Sequence, residues 1–96
     1  MRLYSHADCV KHQTPEGHPE RSDRLAFLLA HLEQTGFTQD HPVLEAPPIQ
    51  DELVRQAHHP QLLERLRQSG PDEGLTPLDP DTWMCPASMA AALQAA

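Results

Sequence analysis

The apolar positions of the chain fall into helical stripes separated by short extended runs. Leu25, Leu28, Leu29 and Leu32 recur at i, i+3, i+4 and i+7, the spacing that gathers side chains on one helix face. Pro19 can open such a helix, Glu20 and Asp23 suit its positive end, and Gly36 is placed to end it as a left-handed C′ residue. The pattern therefore predicts a helix from Glu20 to Gln34, with Phe37 folding back on its last turn. Leu53, Val54 and Ala57 predict a second helix over Glu52 to His58, N-capped by Asp51. Leu62, Leu63 and Leu66 predict a third over Gln61 to Gln68, with Pro60 at its first position and Gly70-Pro71 ending it. Pro86 to Ala96 reads as the start of a fourth helix, rich in alanine and lacking a cap or a polar tail, as expected of a truncated chain.

Between these stripes, Arg2 to His6 alternates apolar and polar side chains and predicts a strand. Val43-Leu44-Glu45 lies between His41-Pro42 and Pro47-Pro48 and fits a short edge strand. Ala7 to Gly17 is polar, with Thr14-Pro15-Glu16-Gly17 a good β-turn, and reads as a surface loop. Gly70 to Cys85 shows no period and reads as a loop of more than a dozen residues, a length associated with function or disorder. The chain shows no internal repeats.

Composition narrows this picture. A chain of 96 residues makes one small domain at most and buries only about 60–65% of its unfolded surface. With 39% hydrophobic residues, 4% aromatics and 10 prolines, any core is thin. Fourteen acidic against seven basic residues give a formal charge of −7, which argues against nucleic acid or an anionic membrane as the partner. No run approaches the ~20 apolar residues of a membrane span, and the first residues lack the apolar core of a signal peptide. A cytoplasmic location is expected, with Cys9 and Cys85 as reduced thiols.

Three clusters could carry chemistry. His6, Cys9 and His12 are spaced H-x2-C-x2-H, a donor set that suits zinc if His18 or the distant Cys85 completes a tetrahedron; the alternative is a polar loop with exposed histidines. His58-His59 could form a general base with its partner, or simply be imidazoles at the negative end of a helix. Asp79, Asp81 and Thr82 could hold a hard cation, or form a turn whose carboxylate accepts backbone N–H groups. No phosphate loop, GxSxG or CxxC is present.

Several strings taken together resemble a known family. Tyr4-Ser5-His6, Cys9, His12 and Gly17-His18-Pro19-Glu20-Arg21 with Arg24-Leu25 are similar to the opening of bacterial histone deacetylase and acetylpolyamine amidohydrolase proteins. Asp51-Glu52-Leu53 through Ala57-His58 resembles the family's helix ending in Val-His. Leu78-Asp79-Pro80-Asp81-Thr82 with Pro86, Ser88 and Ala91-Ala92-Leu93 resembles its LDxDTxxxPxSxxAAL stretch. The matches run in order over nearly the whole chain.

The resemblance implies the N-terminal part of an arginase/deacetylase-type three-layer α/β fold, here the first strand and several helices, spanning residues 1–96. It implies a zinc-dependent amidohydrolase acting on acetylated lysine or polyamine. Its tandem catalytic histidines, zinc ligands and tyrosine would lie beyond this chain, so no catalytic residue and no catalytic zinc are expected within it, and the remainder of the domain is the expected partner. His58-His59 lacks the glycine-rich surroundings of the catalytic pair. His18, Pro19, Glu20 and Met84 match the substrate-channel rim, Met84 standing where many members carry an aspartate that holds the substrate backbone. Methionine accepts hydrogen bonds poorly, which puts that contact in doubt. Arg24 matches an arginine facing an internal acetate cavity, a bidentate anion partner; pairing with Glu20 at i, i+4 is the other reading. Some relatives also bind a structural zinc through this opening loop, which favours His6, Cys9 and His12. The competing reading is an acidic helical interaction module that buries its leucine stripes against a partner.

Overall fold

The computed structural model describes residues 1–96 and shows a mixed helix and sheet chain. Strand β1 (Leu3–Ser5) runs parallel to β2 (Val43–Glu45), with Leu3 opposite Val43 and Ser5 opposite Glu45. Between them lie a 3-10 helix (Ala7–Lys11), α1 (Ser22–Gln34) and the single turn α2 (Phe37–Asp40). Helices α3 (Asp51–Ala57) and α4 (Pro60–Ser69) follow, then an antiparallel hairpin of β3 (Thr76–Asp79) and β4 (Thr82–Met84), and finally α5 (Ser88–Ala95). The 3-10 helix is the hub, packed against both α1 and α5.

Local chemistry explains where the elements depart from the hydrophobic pattern. Ala7–Lys11 is helical rather than loop because His6 caps it: its Nδ1 accepts the Asp8 N–H at 3.0 Å, and Lys11 pairs with Asp8 at 2.6 Å one turn on. Helix α1 starts at Ser22 rather than Glu20 because the Glu20 backbone is already engaged. Its N–H donates to His18 Nδ1 and its carbonyl accepts the Thr14 hydroxyl. Pro19 therefore lies in the loop, and Arg21, extended at φ −151°, precedes the first turn.

Gly36 is left-handed at φ 77° and ends α1 as expected. Phe37, however, opens α2 and packs on His41, ring centroids 4.7 Å apart, instead of folding back on α1. Asp51 is the first residue of α3 rather than its cap, because both its carboxylate oxygens take the Arg67 guanidinium, at 2.7 and 2.8 Å. This fork ties α3 to α4. His58 ends α3 and His59 caps α4, its Nδ1 accepting the Gln61 N–H at 3.2 Å, so the second imidazole serves a helix start. Pro60 occupies the first position of α4 as predicted.

The segment expected to be one long loop contains the β3–β4 hairpin. Pro77 and Pro80 had hidden it by breaking the alternation. Its turn is the aspartate turn anticipated for this stretch: the Asp79 carboxylate accepts the Asp81 N–H at 2.8 Å and the Thr82 hydroxyl at 3.1 Å.

The core is as thin as the composition implied. Only Leu63, Met84, Cys85, Ser88 and Ala91 are buried, while Phe27 is 75% exposed and Tyr4 56%. The chain presents 7157 Å² to solvent, against about 5,500 Å² for a folded monomer of this mass. Its radius of gyration is 14.9 Å, against about 12.5 Å for a compact 96-residue domain. Parallel strands are ordinarily covered on both faces, yet Tyr4, Val43 and Leu44 remain exposed. No helix is long and apolar enough to cross a membrane.

Two outcomes follow for stability. Leu63→Ala should cost about 2–5 kcal/mol and lower Tm by about 10 °C or more, whereas Leu62→Ala at the adjacent, 39% exposed position should cost under about 1 kcal/mol; paired thermal melts check this. The second concerns acid. Hydrogen bonds from Lys11 to Asp8, from Arg67 to Asp51 and from the Asp81 backbone to Asp79 hold these carboxyls below their ordinary 3.8, against a smaller opposing push from burial. A carboxyl depressed in the folded state contributes stability above its unfolded value and loses it as pH falls through the folded one. Stability should therefore decline below about pH 4, and Asp79→Asn should flatten that decline in pH-dependent melts.

Candidate functional site

A cleft opens where the 3-10 helix meets α1 and α5. Cys9, His12 and Glu20 line both of its adjoining hollows, of about 290 and 300 Å³. Ser88 and Ala91 of α5 wall one end, and Arg24 and Leu28 of α1 wall the other. The sequence-predicted Cys9, His12, Glu20 and Arg24 are thus brought to one place. Arg24 makes no ion pair with Glu20, although both face the same space.

At the α5 end, Ser88 Oγ lies 2.6 Å from His12 Nδ1, accepts the Cys85 N–H at 2.7 Å, and stands 3.4 Å from Cys85 Sγ. The Cys85 sulfur also takes the Gln13 N–H at 3.2 Å and lies 3.5 Å from the Lys11 carbonyl. Burial pushes the Cys85 thiol up, but bonds from the Ser88 hydroxyl and from the Gln13, Ala87 and Ser88 backbone outweigh it, so its pKa falls below the ordinary 9.0. Cys9 is half-buried, its sulfur 3.9 Å from the Ala91 carbonyl.

The other predicted residues lie elsewhere. His6 is turned away from the cleft: its Nδ1 accepts from the Asp8 backbone and its Nε2 is 3.3 Å from Glu45 on β2. It borders a larger hollow of about 590 Å³, between the strands and α1, with Val10, Leu29 and Leu44. That hollow joins the uncovered sheet face to the polar side chains of Ser5, His6, Glu33, Thr38 and Glu45. His18 joins the two ends of the chain. Because Nδ1 accepts the Glu20 N–H at 3.1 Å, the proton sits on Nε2, which donates to the Asp81 carbonyl at 3.0 Å. Pro19 is exposed in the same loop. Met84 is buried, its terminal methyl facing Gly70, rather than presented at a rim.

No group of three His, Cys, Asp or Glu side chains comes together so as to hold a metal ion. His6 faces the sheet while Cys9 and His12 face the cleft. Of the two fourth donors considered, Cys85 does approach the opening loop, through Ser88, and His18 is drawn to the hairpin. The meeting of Ser88 with His12 was the part hidden in the residues, since 76 positions separate the two. A serine opening an alanine-rich helix one turn after a cysteine was the available local signal.

The chain matches no protein-family model and no curated protein. His18→Ala should free both the Glu20 N–H and the Asp81 carbonyl. Amide hydrogen exchange at Glu20 should quicken several-fold, while exchange inside α4 stays unchanged.

Proposed function

We propose that this chain is the N-terminal segment of a zinc-dependent deacetylase that hydrolyses the amide of acetylated lysine or acetylpolyamine in the cytoplasm. In this reading it contributes the first strands and outer helices of an arginase/deacetylase-type three-layer fold and docks on the remainder of its own catalytic domain. One contact supports this more than any other. The His18-Pro19-Glu20-Arg21 and Leu78-Asp79-Pro80-Asp81-Thr82 blocks, which carry the resemblance, meet directly through His18 Nε2 and the Asp81 carbonyl.

The uncovered parallel strands and the surplus of exposed surface agree with a segment whose core is finished by further polypeptide. The chain's own residues gather no zinc-binding group. In this reading zinc, which would polarise the acetamide carbonyl and activate water, belongs with the catalytic histidines in the remainder of the domain. Arg24, exposed in the cleft, is the anion partner for released acetate, since a guanidinium binds a carboxylate through two parallel hydrogen bonds.

The purified chain with added zinc should give no turnover of acetyl-lysine or acetylpolyamine substrates. A longer product of the same reading frame, containing a glycine-rich His-His segment and an Asp-x-His motif, should be active and should slow when Arg24→Ala is introduced. Turnover by the 96-residue chain itself, or a reading frame without those motifs, overturns the proposal; in the second case the exposed leucine faces favour the interaction module.

A further inference from the structure

The hollow of about 590 Å³ between the strands and α1 is separate from the cleft and mixed in chemistry. Val10, Leu29, Val43 and Leu44 give it apolar walls, and Val43 and Leu44 stand 40% and 43% exposed. Glu33 on α1 and Glu45 on β2 supply two exposed carboxylates, one on each wall. Glu33 makes no ion pair, and Glu45 meets only the His6 imidazole, at 3.3 Å. No lysine or arginine lines the hollow. Carboxylates without a cation, set beside open apolar surface, call for an occupant that brings apolar side chains and positive charge together.

The shape of that occupant follows from what flanks the hollow. Pro42 and Pro47 bracket β2 and keep a foreign strand from extending the ladder there. Parallel strands are ordinarily covered by helices, and a trough of this kind accepts an amphipathic helix through side chains one turn apart. There is surface enough to cover: the 7157 Å² exposed exceeds that of a compact monomer by about 1,650 Å², about twice the ~800 Å² that one partner buries in a stable interface. A second copy of the chain is disfavoured, because it would bring another formal charge of −7 to a face that already carries carboxylates.

We propose that this hollow docks an amphipathic helix bearing lysine or arginine beside its apolar stripe, supplied by the polypeptide that completes the domain. This rests on the segment reading above and specifies the charge and shape of the piece that lies here. The apolar stripe packs on Leu29, Val43 and Leu44. Cationic heads reach Glu33 on the helix wall and Glu45 on the strand wall, and their methylene stems cover the apolar surface between. Apolar contact supplies most of the affinity, while the exposed charge pairs select the sign of the partner.

The test titrates the 96-residue chain with a labelled, amidated peptide of four helical turns, leucine at i, i+4 and i+7 flanked by lysines, and with its twin carrying glutamate for lysine. The lysine peptide should bind at least about tenfold tighter than its twin, the gap narrowing as salt rises. Glu33→Gln with Glu45→Gln should weaken it about fivefold, and Val43→Arg should abolish it. Leu53→Arg, at an exposed position outside the hollow, should leave it unchanged, with circular dichroism reporting that the helices persist. The longer product of the reading frame should bind the lysine peptide at least about tenfold more weakly, because its own helix lies there. Equal binding of the two peptides, or of the folded carboxylate variant and its parent, overturns the proposal. So does a longer product that binds the peptide as the short chain does, or sedimentation showing a dimer that Val43→Arg dissolves. The expected binding beside an inactive longer product supports this docking and overturns the deacetylase reading alone.

Discussion

Of the contacts that join the two ends of this chain, the shortest passes through one oxygen atom. Ser88 Oγ takes the Cys85 N–H and meets His12 Nδ1 at the same time, so the first turn of α5, the end of the 3-10 helix and the close of β4 share a single anchoring point. An individual hydrogen bond contributes only about 0.5–1.5 kcal/mol. Closing a loop of about 76 residues costs roughly 4 kcal/mol. The anchor therefore depends on the burial of Met84, Cys85 and Ala91 around it, and that burial in turn keeps the hydrogen bonds from exchanging with water. Four of the five buried residues lie between positions 84 and 91, so the small core and the cleft are built from one piece of chain.

Outside that region the structure relies on local devices. Capping by His6 and His59, the Arg67–Asp51 fork and the Asp79 turn each settle one element boundary or one helix pair. These groups are partly or fully exposed, so salt weakens their electrostatic part and each is worth little alone. The parallel pair β1–β2 has the geometry of an inner layer without the cover such a layer has. Leu44, Val43 and Tyr4 face water because no other element of the chain is positioned to shield them.

Much of the fold was legible in the residues because the signals were local. The leucine stripes placed α1, α3 and α4, Gly36 marked the left-handed residue after α1, and the prolines around Val43-Leu44-Glu45 bounded a short strand. What escaped depended on side chains acting on backbone. Helical propensity does not reveal that His6 accepts the Asp8 N–H, nor that His18 and Thr14 hold Glu20 out of α1. Alternation of apolar residues could not reveal a hairpin interrupted by Pro77. In the cleft, Cys9 and His12 were singled out by donor type and spacing, and Glu20 and Arg24 by the family resemblance. The meeting of His12 with Ser88 and of Gln13 with Cys85 joins positions 76 and 72 residues apart, a relation that no local pattern encodes.

The prolines also set how the strands behave among other molecules. Pro42 and Pro47 flank β2, Pro77 interrupts β3, and Pro80 and Pro86 bracket β4; a residue that cannot donate to a ladder makes each a poor template for a foreign strand. Leu3-Tyr4-Ser5 has no such guard within two residues on either side. The free edge of β1 is therefore the one strand edge of the chain whose protection from foreign strands falls to charge, at Arg2, rather than to proline.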